Sequence, residues 1–180
     1  MGASRFHYFQ LVTCLLTTLG MAACSTISHA PSQELDANAK WALLPMANYT
    51  ETPQAGARMT EIAGAMLQGA GIAHLLRYLP ETTEDPLIGG DSTAELSKAL
   101  AWAREQGAKY GVSGAVEEWR YKTGVEGEPA VGVTLHIIEI ETGFTVWSGA
   151  GAKSGWARES VSGVAQKVIG ELIGKAGIGA

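Results

Sequence analysis

Apolar residues recur at two different spacings between residues 39 and 180, and the spacing separates helices from strands. In three segments they recur three and four residues apart, which places them on one face of a helix. The members of these faces are Met59, Ile62, Ala63, Met66, Leu67 and Ala70; Leu96, Ala99, Leu100 and Ala103; and Val161, Val164, Ala165, Val168, Ile169 and Leu172. Alternating apolar residues in 110–116 and 131–137 predict two strands.

Shorter apolar runs at 41–46, 72–79 and 144–148 add three further strands. The resulting order is β-α-β-α-β-β-β-α, which predicts an α/β (α+β) domain with a mixed sheet of about four to five strands packed by about three helices. Pro45 lacks the N–H that a central strand needs, so its strand is expected at a sheet edge. The glycine-rich stretch 149–155 predicts a loop.

The first 24 residues have the layout of a secretory signal. Arg5 supplies a positive charge, residues 11–19 are largely apolar, and the small residues at 22–23 precede Cys24. This run is too short for a spanning helix. Residues 21–24 resemble the bacterial lipobox, in which the cysteine is acylated after cleavage. Ser25, rather than aspartate, then implies sorting to the outer membrane; the alternative is ordinary cleavage with a free thiol at Cys24.

These observations divide the chain into three parts: a lipoprotein signal peptide at 1–23, a lipidated tether at 24–38 and a single globular periplasmic domain at 39–180. The tether is expected because residues 25–38 are mostly polar and lack periodicity. A flexible coil of that length has a root-mean-square reach of roughly 20 Å. The folded domain is therefore expected to lie close to the membrane.

Charge and cysteine content exclude several kinds of partner. Removal of Arg5 with the signal peptide changes the formal net charge from −5 to about −6. An acidic protein is a poor candidate for binding nucleic acid or anionic lipid by charge, and a plausible partner for something cationic. Removal of Cys14 and acylation of Cys24 leave no thiol for a disulfide, so packing must hold the domain together.

No combination of residues predicts catalysis, a metal site or a cofactor. A triad hydrolase needs a nucleophile, a base and an orienting acid. After removal of the signal peptide the histidines are His29 in the tether, His74 inside a predicted strand and His136 out of phase with the apolar residues of its strand, so none is predicted to be catalytic. The chain lacks the HExxH and CxxC spacings of metal sites. Lys153-Ser154 follows a glycine-rich stretch, but Ala152 stands where a phosphate-binding loop needs glycine.

Two tryptophans and a group of acids are the candidate binding residues. Trp147 is expected to pack in the core. Trp156 lies between Lys153 and Arg158, so it either contacts a membrane interface, where indole rings are favoured, or covers the domain's own core. The acids Glu117, Glu118, Glu126 and Glu128 lie in or beside predicted loops. They are either an ordinary solvated surface or part of a negative patch, built by several subunits, that attracts a cationic ligand.

Three segments carry a resemblance to a known superfamily: residues 41–50, 108–114 and 141–148. They resemble the superfamily that contains the curli secretion protein CsgG, the N-terminal domain of TolB and the peptidoglycan-synthase activator LpoB. Within it, residues 48–56 and 154–156 are most similar to the PelC family, the outer-membrane lipoproteins of Pel exopolysaccharide export. The resemblance covers roughly residues 39–175.

The resemblance implies a protein that is not an enzyme. It implies a homo-oligomeric ring on the periplasmic face of the outer membrane, with Trp156 touching the bilayer. An acidic surface would then guide a cationic polysaccharide to an outer-membrane export pore. The alternative is a regulator that binds a cell-envelope enzyme, as LpoB does, but such a protein needs a longer tether. A curli-type channel would need two long amphipathic segments for a barrel, and no suitable pair is present.

Overall fold

The computed structural model describes residues 25–80, 92–123, 127–156 and 158–179. In this part of the chain the strands are β1 (Ser25–His29), β2 (Leu35–Asp36), β3 (Lys40–Asn48), β4 (His74–Arg77), β5 (Tyr110–Tyr121), β6 (Pro129–Glu139), β7 (Thr145–Ser154) and β8 (Ile178–Gly179). The helices are α1 (Ala55–Gly69), α2 (Ser92–Glu105) and α3 (Val161–Ile173). The predicted α+β class is confirmed.

The main sheet has six strands in the order β1-β7-β6-β5-β3-β4. Strand β3 pairs in parallel with β4 and β5, whereas β5–β6, β6–β7 and β7–β1 are antiparallel. The predicted mixed sheet is therefore correct, and it is larger than the expected four to five strands. Strands β2 and β8 form a separate parallel pair.

The segment that was expected to be a tether contributes to the fold. Strand β1 pairs with β7 in a register that sets Ser25 against Lys153, and the Ala30 N–H donates to the Ser148 carbonyl at 2.8 Å. Further along, Leu35 is buried in the main core. The prediction of a free coil for residues 25–38 is wrong for these residues, because backbone hydrogen bonds fix a strand whose side chains are mostly polar.

Strand β7 continues through residues that were expected to form a loop. Gly149–Ser154 all belong to it, and its pairing with β6 extends as far as Ser154. A Cβ on Gly151 would lie 2.7 Å from Ile27 Cδ1 and 2.8 Å from Val168 Cγ1. The glycines of this stretch thus allow close packing of β1 and α3 rather than a turn.

Pro45 lies in a strand with neighbours on both sides, so the edge prediction is wrong. Strand β3 pairs with β4 only from Lys40 to Leu43, and its register against β5 shifts between Leu43 and Met46. Pro45 therefore falls at an irregularity, where the missing N–H is tolerated. Its carbonyl accepts a hydrogen bond from Ser113 Oγ at 2.9 Å.

Helix α1 begins without a side-chain cap. Thr52 is a residue type that often caps helices, but its Oγ1 donates to the Trp119 carbonyl at 2.5 Å rather than accepting from an N–H of the helix. The N-cap is Gln54, which has a φ of 60° and makes no side-chain capping hydrogen bond. Thr52 thus fastens the loop before α1 to strand β5.

The helices pack on opposite faces of the sheet. Helices α1 and α3 bury the large apolar side chains of β3, β5, β6 and β7, including Trp41, Leu135 and Trp147; we call this side the covered face. Helix α2 contributes Ala99 and Ala103 to a smaller cluster on the other side. Right-handed crossovers account for this arrangement, because the chain moves from β3 to β4 through α1 and then back past β3 to β5 through α2.

Helix α2 covers only part of its side of the sheet. The alternate residues of β5, β6 and β7 turn away from α1 and α3, and we call the side they form the open face. Its members include Ala115, Glu117, Thr134, His136, Ser148 and Ala150. A shallow groove of about 410 Å³ runs along it, bordered by residues of β3, β5, β6 and α2.

Candidate functional site

One end of the sheet lies next to Trp156 and Glu128, two of the residues singled out in the sequence. Here β5 ends at Tyr121, β6 begins at Pro129, β7 ends at Ser154 and β1 begins at Ser25. We call this the Ser25 end. Sheet order, rather than sequence distance, brings these four points together.

Trp156 lies two residues beyond β7 and is 54% exposed. Its backbone N–H donates to Glu159 Oε2 at 2.9 Å, and the preceding Gly155 N–H donates to the Pro129 carbonyl at 2.8 Å. A Cβ on Gly155 would lie 2.5 Å from Glu159 Oε2, so a glycine is needed for this close approach. Of the two interpretations left open for Trp156, burial over the domain's own core does not agree with this exposure.

Glu159 holds the backbone at Trp156 in place. It stands just before Ser160, the N-cap of α3, whose side chain accepts from the Gly163 N–H at 3.0 Å. Lys167 forms an ion pair with Glu159. The hydrogen bonds from Lys167 and from the Trp156 backbone hold the pKa of the Glu159 carboxyl below its ordinary value. The charged carboxylate therefore tethers the Trp156 turn to α3.

The predicted lipidation site, Cys24, lies outside the described residues. Strand β1 begins with the next residue, Ser25, which is in register with Lys153 of β7. Directly paired residues on antiparallel strands have Cα atoms about 5 Å apart. Residue 24 is thus covalently bonded to the residue that lies beside Lys153, and Lys153 precedes Trp156 by three positions.

The four acids lie in different settings. Glu117 and Glu118 are in β5 rather than in a loop, at a register shift between Val116 and Glu118. This bulge directs both toward Gly132, on which an added Cβ would lie 3.4 Å from Glu118 Cβ and 3.7 Å from Glu117 Cβ. The sequence placed this pair in or beside a loop because the strand was expected over 110–116, whereas β5 continues to Tyr121.

The charges of these acids are also compensated differently. Glu118 accepts a hydrogen bond from Arg120 Nε at 2.8 Å, whereas Glu117 is exposed. Glu128 is exposed immediately before β6, at the Ser25 end. Glu126 lies outside the described residues. The structure therefore brings Glu117 and Glu118 together, and it places Glu128 at the end of the sheet.

The histidines are separated from one another. His29 is exposed on β1, where its Nδ1 lies 2.8 Å from the Ala30 carbonyl, and His74 is exposed on β4. His136 is half-buried on the open face, and burial lowers the pKa of its imidazole. Among the described residues, no group of three or more His, Cys, Asp or Glu side chains could hold a metal ion. None of the described helices is long and apolar enough to cross a bilayer.

Sequence reasoning missed Tyr121 and Lys122, which lie at the Ser25 end. Tyr121 is 53% exposed at the last position of β5, and Lys122 Nζ donates to Ser154 Oγ at 2.5 Å. Their proximity to the end of β7 depends on β6 lying between β5 and β7. The available signal was a large aromatic residue followed by lysine, just before a segment that contains Gly124, Gly127 and Pro129.

The fold alone indicates a general class of protein. It resembles that of the lipoprotein GNA1162 from Neisseria meningitidis, with a TM-score of 0.53, 14% identity, and coverage of 76% of this chain and 96% of that one. At this identity the likeness concerns the fold alone, and it identifies an α+β domain of a type found in a bacterial lipoprotein.

A more similar structure identifies the family. The PelC dodecamer from Paraburkholderia phytofirmans is 40% identical with a TM-score of 0.73, over 87% of this chain and 100% of that chain. A point variant of the same dodecamer in another crystal form gives 40% identity and the same TM-score, with 99% of that chain covered. The chain belongs to the PelC family, which confirms the resemblance noted in the sequence. Comparisons with family models and with curated proteins give no match.

Proposed function

We propose that this protein is an outer-membrane lipoprotein of a Pel-like exopolysaccharide export apparatus and that it acts as a homo-oligomeric ring rather than as an enzyme. The observation that carries the proposal is the 40% identity to a PelC that forms a dodecamer, along the whole of that chain. A ring requires two different surfaces of each subunit to fit one another, and such surfaces are best retained when similarity runs along the entire domain.

The ring attaches to the periplasmic face of the outer membrane through two features. Cys24 is acylated, and Trp156 enters the headgroup region, where an indole ring finds both apolar and polar surroundings. In support, Ser25 is in register with Lys153, so the acyl chains and Trp156 belong to the same end of the domain. Among the described residues, β1 begins directly after the proposed lipidation site, and this disfavours a regulator that must reach across the periplasm.

The acids of the domain guide a cationic polysaccharide toward an outer-membrane pore. Glu117 and Glu128 are exposed, and neither takes part in the described ion pairs, whereas the charge of Glu118 is compensated by Arg120. Repeated around a ring, such charges sum to a field that concentrates a cationic polymer. Glu126 adds to this surface in the proposal.

Light scattering on the chain from residue 25 onward tests the ring. This portion contains every described strand and helix, and it matches the length of the crystallised relative. A discrete mass near twelve subunits is expected over a range of concentrations, by analogy with the dodecameric relative. A strict monomer, both in solution and on lipid vesicles, would contradict the proposal.

Binding of glucosamine oligomers tests the acidic surface. N-acetylated oligomers of the same length are the neutral control. The double variant Glu117→Gln, Glu128→Gln is expected to weaken binding of the charged oligomer at low salt. The matched double variant Glu105→Gln, Glu171→Gln, which removes two exposed acids elsewhere, is expected to leave most of the binding. Equal binding of charged and neutral oligomers would refute charge guidance.

A further inference from the structure

Two exposed aromatic side chains border the Ser25 end of the sheet. Tyr121 is paired with Pro129 of β6, and the Pro129 carbonyl accepts the hydrogen bond from Gly155, the neighbour of Trp156. Two strand spacings of about 4.8 Å separate β5 from β7, so Tyr121 and Gly155 lie about 10 Å apart across the sheet. Tyr121 and Trp156 therefore stand on either side of the end of β6.

Three cations and one exposed acid, Glu128, share this end. Lys122 reaches over β6 to Ser154, Lys153 lies beside Ser25, and Arg158 is exposed two residues after Trp156. None of the three takes part in the ion pairs found among the described residues. The other two cations nearby, Arg120 and Lys167, are paired with Glu118 and Glu159 respectively.

We propose that Tyr121, Lys122, Lys153, Trp156 and Arg158 form a basic aromatic surface that binds the phosphate groups of anionic phospholipids. The proposal deepens the membrane attachment described above and rests on it. Tyrosine and tryptophan are favoured at the headgroup level of a bilayer, and Lys or Arg near a negatively charged bilayer strengthens binding by roughly five-fold each. Lys122, Lys153 and Arg158 supply those charges here.

A bilayer, rather than an acidic protein, is the occupant that the geometry favours. Residue 24 is bonded to Ser25, and consecutive Cα atoms are about 3.8 Å apart. Acyl chains on Cys24 would therefore enter the membrane next to Lys153, which brings the lysine to the headgroups. The net charge near −6 made anionic lipid a poor candidate partner in the sequence, but it averages the whole surface, whereas attraction acts over about 10 Å at 0.1 M salt and depends on the local charges.

Vesicle flotation with the unlipidated chain from residue 25 onward tests the inference. Phosphatidylcholine vesicles are compared with vesicles that also contain phosphatidylglycerol. The double variant Lys122→Gln, Lys153→Gln is expected to lose roughly twenty-fold in binding to the anionic vesicles at low salt, and to bind the neutral vesicles as the parent does. The loss should shrink at high salt as screening increases.

A matched variant separates a local effect from a change in net charge. Lys109→Gln with Lys175→Gln removes the same two charges from exposed residues that also take part in none of the described ion pairs, just before β5 and beyond the far end of α3. It is expected to keep most of the binding to anionic vesicles. An equal loss in both double variants, or no preference of the parent for phosphatidylglycerol, would overturn the inference.

Aromatic variants distinguish the failure of this inference from the failure of the proposed membrane attachment. Trp156→Ala and Tyr121→Ala are each expected to weaken binding to both kinds of vesicle while the oligomer mass stays unchanged. If Trp156→Ala alters binding to neither kind, the proposed attachment through Trp156 is wrong. If it weakens both and the lysine variants alter neither, the attachment stands and the headgroup inference is wrong.

Discussion

The two faces of the six-stranded sheet are built from the same strands and carry different side chains. On the covered face, β5, β6 and β7 contribute Val112, Leu135 and Trp147, each at most 2% exposed. On the open face, the same strands contribute Ala115, Thr134 and Ser148. A single subunit therefore gains most of its hydrophobic stabilisation on one side of the sheet. The other side is available for assembly or binding.

Strand β7 shows the difference most directly. Its glycines at 149 and 151 point to the covered face, where an added Cβ on Gly149 would meet Trp147 at 2.7 Å and Leu172 at 3.0 Å. Its alanines at 150 and 152 point to the open face and are exposed. Small residues thus have different roles on the two faces: on the covered face they make room for Trp147 and α3, and on the open face they are exposed and add little side-chain volume.

The largest effect is expected from a cavity under α3. Leu172 is fully buried and lies against β7. Leu172→Ala removes buried methyl and methine groups and leaves a cavity that the rigid sheet cannot fill, so the free energy of unfolding should fall by about 2–5 kcal/mol. Urea denaturation measures this loss. A fall of less than about 1 kcal/mol would show that α3 packs more loosely than the structure indicates.

A smaller effect is expected from two neighbouring residues of β7. Gly151→Ala adds a methyl group within 3 Å of Ile27 and Val168, and this overpacking should destabilise the domain by about 1–3 kcal/mol. Ala150→Ser, one position away on the open face, should alter stability by no more than about 0.5 kcal/mol. Denaturation of both variants under conditions that keep the protein monomeric provides the comparison.

The same pair of variants reports on assembly. If Ala150→Ser leaves the monomer stable but changes the mass of the oligomer, a neighbouring subunit covers this part of the open face. If both variants destabilise the monomer equally, the distinction between the two faces is wrong. The comparison is sharp because the two residues share a strand and differ mainly in the side of the sheet to which they point.

The covered face was predictable from the sequence because its signal is local. All six apolar positions expected for the last helix are buried in α3, and the alternating residues of β5 and β6 lie in the core as expected. Amphipathic periodicity indicates which side of a helix or strand faces the core. This side can be identified without knowing which other elements pack against it.

The missed features depend on partners that are distant in sequence. Strand β1 has few apolar residues, and its pairing with β7 is a matter of backbone hydrogen bonds. Pro45 fits an internal strand because of a register shift against β5. The basic aromatic surface combines the ends of β5 and β7 with the start of β1, so it could be assembled only after the strand order was known.

The smallest effect is expected from a titration on the open face. His136 is half-buried, and burial disfavours its charged form, so the pKa of the folded imidazole lies below the ordinary value of 6.5. As the pH falls through 6.5, the unfolded chain binds the proton first, and the free energy of unfolding decreases until the folded imidazole also titrates. Glu117 is another titratable side chain that lines the same open-face groove as His136. Above pH 6.5 the part of the free energy of unfolding that is lost on acidification is fully present.

His136→Gln should remove this part of the acid sensitivity while leaving stability near neutral pH almost unchanged. Thermal unfolding of parent and variant across this range measures it, with His74→Gln at the sheet edge as the control for replacing a histidine. Identical pH profiles of parent and His136→Gln would contradict the expectation. Repeating the measurement on the oligomer sharpens the comparison of the two faces. If a neighbouring subunit covers the open face, His136 becomes more deeply buried, and its acid sensitivity should exceed that of the monomer.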